Sequence, residues 1–70
     1  MPTVTRTHHV TGMTCDHCVR AVTEEVGAIP GVTAVEVDLA TGDVTVSSTQ
    51  EIAHDQLAAA VDEAGYQLTP

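Results

Sequence analysis

Apolar residues along this chain alternate between two spacings, and the order of that alternation limits the folds open to it more than any other feature. Val35, Val37 and Leu39 recur at every second position with Glu36 and Asp38 between them, and Val44 and Val46 do the same against Thr45 and Ser47. A period of two sends successive side chains to opposite faces of a strand. Val19, Val22 and Val26 recur instead at intervals of three and four, as do Ala53, Leu57, Ala60, Val61 and Ala64, which is the spacing of one helical stripe. Val4–Thr11 is rich in β-branched residues and reads as a strand, with Val4, Arg6, His8 and Val10 on one face and the threonines with His9 on the other.

Breaks separate these segments. Gly12 ends the first strand, and a helix is predicted from Asp16 to about Gly27, stopped by Pro30 and Gly31. Strands over Thr33–Leu39 and Val44–Ser47 flank the turn "ATGD". Ser48 and Glu51 have capping-box spacing, which predicts that a second helix begins there, and Gly65 is a ready left-handed cap for its end. "YQL" is long enough for an edge strand. The order is βαββαβ. Right-handed crossovers from the first strand to the third and from the second to the fourth would put both helices on one face of a four-stranded antiparallel sheet, an α+β, ferredoxin-like open-faced sandwich.

With 70 residues the chain is expected to form one domain over 1–70, since a chain of this size hides only about 60% of its unfolded surface. Phe and Trp are absent and Tyr66 is the only aromatic residue, so the core must be aliphatic and a deep aromatic pocket for an organic substrate is disfavoured. No catalytic residue, no organic cofactor and no enzymatic activity are expected. A formal charge of −8 repels nucleic acid and anionic lipid. No apolar run approaches the roughly 20 residues that span a bilayer, and "MPTVTRTHHV" lacks a secretory hydrophobic segment, so a cytoplasmic location without membrane insertion is expected. Met1 and Pro70 closely flank the predicted strands, as in a complete small protein.

The chemistry concentrates in "GMTCDHC". Its two cysteines are too close in sequence for a disulfide between them to staple a fold. Cys15 falls on the loop leaving the first strand and Cys18 in the first turn of the helix, where free backbone amides and the helix dipole favour a thiolate. Soft thiolates select Cu(I) or zinc. Structural zinc wants four ligands, and no second CxxC or HxxxH is present; Cu(I) is content with two sulfurs.

"GMTCDHCVRAVTEEVGAIPGVTAVEVDLATGDVTV" resembles the heavy-metal-associated domain family, and within it the small bacterial copper chaperones. The likeness runs from about Thr5 to Leu68. It implies a ferredoxin-like fold, Cu(I) held by Cys15 and Cys18, and delivery to a similar CxxC on the soluble domain of a copper-transporting P-type ATPase. Mercury-binding relatives would need an export signal, whereas zinc and cadmium relatives often add an acidic ligand, a role open to Asp16. The resemblance also implies that Met13 anchors the loop in the core and that Tyr66 shields the site, offering its hydroxyl to a sulfur. His17 is expected to point outward, where its protonation would favour the thiolates. His8 and His9 read as strand residues and His54 as part of the second helix's polar side. An exposed two-sulfur site invites sulfur from a second copy, so a monomer without copper and a copper-bridged dimer with it are expected. Glu24 and Glu25 are candidates for selecting a basic partner. The alternatives are an N-terminal metal-binding domain of such an ATPase and a thiol-disulfide redox protein, although the chain lacks an aromatic residue just before the CxxC.

Overall fold

A computed structural model of the chain describes residues 3–69; Met1, Pro2 and Pro70 lie outside them, and with them the expectation drawn from the two chain ends. The elements are β1 (Val4–Thr11), α1 (Asp16–Gly27), β2 (Val32–Asp38), β3 (Asp43–Ser48), α2 (His54–Glu63) and β4 (Gln67–Leu68). They form the ferredoxin-like βαββαβ arrangement, with one antiparallel sheet in the order β2-β3-β1-β4. The crossovers differ from the expected ones. α1 joins the first strand to the second, which flank β3, and α2 joins the third to the fourth, which flank β1. The reason is directional: β1 and β3 are antiparallel neighbours, so a helical crossover can only link strands one place further apart that run parallel.

Register settles which face is dry. His8 pairs with Val44 and Arg6 with Val46, while Val35 and Val37 of β2 pair with Val46 and Val44 from the other side. Val10, Val44 and Val46 therefore share a face, and they form one cluster with Val22 and Val26 of α1, Ile29, and Leu57, Ala60 and Val61 of α2. Both helices lie on that face and contact each other. Burying each of these valines or leucines stabilises by roughly 1.5–3 kcal/mol. The opposite face stays open, with threonines bonding across it, as Thr7 Oγ1 does with Thr45 Oγ1 at 3.2 Å. No helix among the described residues is long and apolar enough to cross a membrane.

The start of α2 departs from the capping-box reading. Ser48 is buried in the ladder, paired with Val4 on one side and Val32 on the other, and its Oγ donates to the Gln50 carbonyl at 2.5 Å. Glu51 meets Arg6 Nη2 at 2.6 Å, and the helix begins only at His54, after Ala53, which has no side chain to cap with. A cap contributes about 1 kcal/mol; pairing on both sides of Ser48 outweighs it. Ala53, assigned to the apolar stripe, is exposed at the helix start.

The end of α2 follows its local signal. Gly65 takes φ +94°, its N–H donates to the Asp62 carbonyl at 2.9 Å, and the Tyr66 N–H donates to the Val61 carbonyl at 3.1 Å. This pair of bonds is a Schellman motif, which only a left-handed residue closes without strain. It turns the chain so that the Tyr66 ring reaches the first loop: a Cβ placed on Gly12 would lie 3.4 Å from Tyr66 Cδ1.

Candidate metal centre

Gly12, at φ +93°, turns the chain out of β1. Met13 is half-buried against the core, which holds the loop down from below, and Thr14 is exposed beside it. Cys15 is the extended residue at the head of α1, with its carbonyl accepting from the N–H groups of Cys18 (3.0 Å) and Val19 (3.3 Å). Its thiol is exposed. Cys18, one turn into α1, is buried, and both cysteines are free. Helix geometry thus brings the two sulfurs together, at 3.5 Å, while giving them different surroundings.

The buried sulfur is the better acceptor of hydrogen bonds. The Thr14 N–H donates to Cys18 Sγ at 3.4 Å, and Thr14 Oγ1 lies 3.9 Å away. The Thr14 backbone N–H is the chief cause that brings the Cys18 thiol from 9.0 down to about 6. The Tyr66 hydroxyl and then the Cys15 thiol and backbone pull in the same direction, against the opposing effect of burial. The same contact raises Tyr66 above its ordinary value, because its proton is held by the sulfur. At neutral pH the site therefore holds one sulfur already prepared as an anion and a second at the surface beside it.

Of the residues singled out from the sequence, the structure gathers Cys15, Cys18, Met13 and Tyr66 at one loop. Asp16 and His17 are exposed on the first turn of α1. Among the described residues, no group of three or more Cys, His, Asp or Glu side chains is placed to hold a metal ion, so neither Asp16 nor His17 extends the sulfur pair. His8 and His9 lie on opposite faces of β1, as expected of strand residues. The residue that sequence reasoning missed is Thr14, because it acts chiefly through a backbone N–H, which has no signature in residue type; its place just ahead of the helix start was the only available signal. A surface hollow of about 830 Å³ lies on the open sheet face between Thr7, Glu36, Asp38, Leu39, Asp43 and Thr45 and shares no residue with the thiol loop.

A heavy-metal-associated domain model matches residues 7–67. The chain belongs to the heavy-metal-associated domain family. Among curated relatives of this heavy-metal-associated domain, the copper chaperone CopZ of Bacillus subtilis is 41% identical over 64 residues, which are 90% of this chain and 93% of that protein. A solved CopZ metallochaperone superposes with a TM-score of 0.87 at 33% identity, covering 94% of this chain and all of the other. The N-terminal domain of a potential copper-translocating P-type ATPase from Bacillus subtilis, solved in its Cu(I)-loaded state, superposes with a TM-score of 0.84 at 32% identity, covering 96% and 85%. Chaperones and pump domains thus share this fold.

Proposed function

We propose that this heavy-metal-associated domain is a Cu(I) chaperone that carries the ion between Cys15 and Cys18 and passes it to a CxxC on the soluble domain of a copper-transporting P-type ATPase. The single observation that carries the reading is the donor set: two sulfurs 3.5 Å apart, one buried and stabilised as a thiolate, one exposed, with no third Cys, His, Asp or Glu side chain gathered beside them among the described residues. Two soft sulfurs suit a monovalent d¹⁰ ion and leave a hard or four-coordinate cation unsatisfied. Relatives named as copper chaperones support copper as the cargo.

Transfer is ligand exchange. A partner thiolate adds to Cu(I), the bond to exposed Cys15 breaks first, a second partner sulfur adds, and Cys18 leaves last. Copper stays Cu(I) throughout, and each step makes one Cu–S bond and breaks one. The chain is thus a carrier and not a catalyst, working where thiols are kept reduced, as in the cytoplasm. Met13 supports the loop from the core, Tyr66 stabilises the Cys18 thiolate, and exposed His17 lies between the two cysteines in sequence. The exposed Cys15 also permits a second copy to share the ion, giving a copper-bridged dimer from a copper-free monomer.

Anaerobic titration with Cu(I) against a competing chelator tests the reading. Tight uptake is expected, lost when Cys15 and Cys18 are both changed to serine. Uptake of Zn(II) in preference, at cellular thiol concentrations, would overturn the metal; efficient insulin reduction without copper binding would establish the redox reading. A second assignment, the metal-binding domain of a pump, draws support from the Cu(I)-loaded ATPase domain of the same fold.

A further inference from the structure

β4 is an outer strand of the sheet, and one of its residues turns its backbone away from the neighbouring strand. The Thr69 N–H donates to the His9 carbonyl at 2.8 Å, and Thr11 pairs with Gln67. In an antiparallel ladder the bonding pairs alternate. Gln67 and Thr69 therefore face β1, while Leu68 between them directs its N–H and C=O outward, where neither meets a partner among the described residues.

Beside that edge, α2 and β4 leave a hollow of about 260 Å³, lined by Ala58, Asp62, Tyr66, Gln67 and Leu68. Sites that enclose a drug-sized organic ligand run to about 300–1,000 Å³, so this one is nearer the size of a single long side chain. Leu68 and Tyr66 pack against the core and give it an apolar floor. Asp62 is exposed at its wall.

Charge decides what suits the hollow. Asp62 stands in the last turn of α2 with Glu63 after it, and no basic residue offsets them there. The carbonyl end of a helix is already its negative end, so a cation is favoured at this place twice over. The chain does not supply one: it contains no lysine, Arg6 is engaged with Glu51, and Arg20 belongs to α1.

We propose that the groove between α2 and the outer edge of β4 docks an extended segment of a partner protein that carries a lysine or arginine opposite Leu68. Such a segment adds a strand to the sheet, its residue opposite Leu68 exchanging two main-chain hydrogen bonds with the Leu68 N–H and C=O. Paired residues point to the same face, so that side chain lies on the side of Leu68, toward α2. Its apolar stem crosses Leu68 and Ala58, and its charge meets the Asp62 carboxylate. Tyr66 lines the groove and also closes on Gly12 of the thiol loop, so a docked segment is held beside the two cysteines.

The probe is the blocked peptide acetyl-Ala-Thr-Lys-Thr-Ala-amide, titrated into the reduced, copper-free chain and followed by amide NMR. Shift changes are expected at Gln67–Thr69 and Ala58–Asp62, with the Leu68 amide proton moving downfield as it gains an acceptor. Replacing the lysine by norleucine keeps the stem and removes the ammonium; binding is expected to weaken by up to about fivefold, the range of an exposed ion pair. Asp62→Asn is expected to weaken the lysine peptide by the same factor and to leave the norleucine peptide unaffected. Glu63→Gln, at a carboxylate outside the lining of the hollow, is expected to do less than Asp62→Asn. Methylation of the lysine backbone nitrogen is expected to abolish the Leu68 response. Equal binding of the lysine and norleucine peptides, a Leu68 amide that does not move, or shift changes scattered over the carboxylates of α1 and the open sheet face overturns the proposal. Cu(I) uptake by the unaltered chain is measured separately, so a failure of the copper reading and a failure of the groove are told apart.

Discussion

Thr14 acts on Cys18 chiefly through its backbone, so its side chain is nearly dispensable, whereas Tyr66 acts through its hydroxyl. Following thiolate absorbance against pH, Thr14→Ala is expected to leave the Cys18 midpoint near 6, and Tyr66→Phe to move it upward. A matching effect appears in stability. The folded thiol titrates at about 6 and the free one at 9.0, so the unfolded chain holds more protons between those values. The copper-free protein should therefore gain thermal stability as pH rises from about 6 to 9 and lose it as pH falls through 6. Cys18→Ser should flatten that slope. An unaltered slope in thermal melts of the variant would assign the dependence to other groups. The two cysteines were legible as a pair from the sequence, but their inequality was not: it depends first on the Thr14 backbone N–H, which residue type does not reveal, and then on Tyr66, brought in from the far end of the chain.

Two glycines at helix ends should respond to the same substitution with opposite signs. Gly65 has φ +94° with nothing within 4 Å of an added Cβ, so Gly65→Ala carries backbone strain alone, about 1–2 kcal/mol of destabilisation. Gly27 closes α1 without a positive φ and is equally open, so Gly27→Ala should stabilise by about 0.5–1 kcal/mol. Each kcal/mol moves the melting temperature of a domain this small by about 4–8 °C. Calorimetry of the two variants should bracket the parent, and a shift in the same direction for both would contradict this account. The contrast also explains what could be read at each end of α2. Gly65 acts within its own turn and is legible; Ser48 carries a good local cap signal but is claimed by two strands distant from it in sequence.

At the scale of the whole molecule, an aliphatic core has little redundancy. Leu57 is fully buried in the cluster that joins sheet to both helices, so Leu57→Ala should cost about 2–5 kcal/mol, a large part of a small domain's stability, visible in chemical denaturation. The −8 charge acts over the entire surface: Arg6 is paired with Glu51, leaving Arg20 as the cation of α1 among Asp16, Glu24 and Glu25. If the carboxylates steer a basic partner, copper exchange with a pump domain should slow as salt is raised, with the equilibrium changing less; a rate indifferent to salt would count against steering. The order of elements, the dry faces of β2 and β3 and the position of the thiols at a helix start were determined by the sequence itself, because each depends on residues within one turn or one strand. The crossovers, the recruitment of Ser48 into the ladder and the burial of one sulfur but not the other were decided only by tertiary structure. Each depends on strand pairing or packing between distant parts of the chain, which local spacing does not encode.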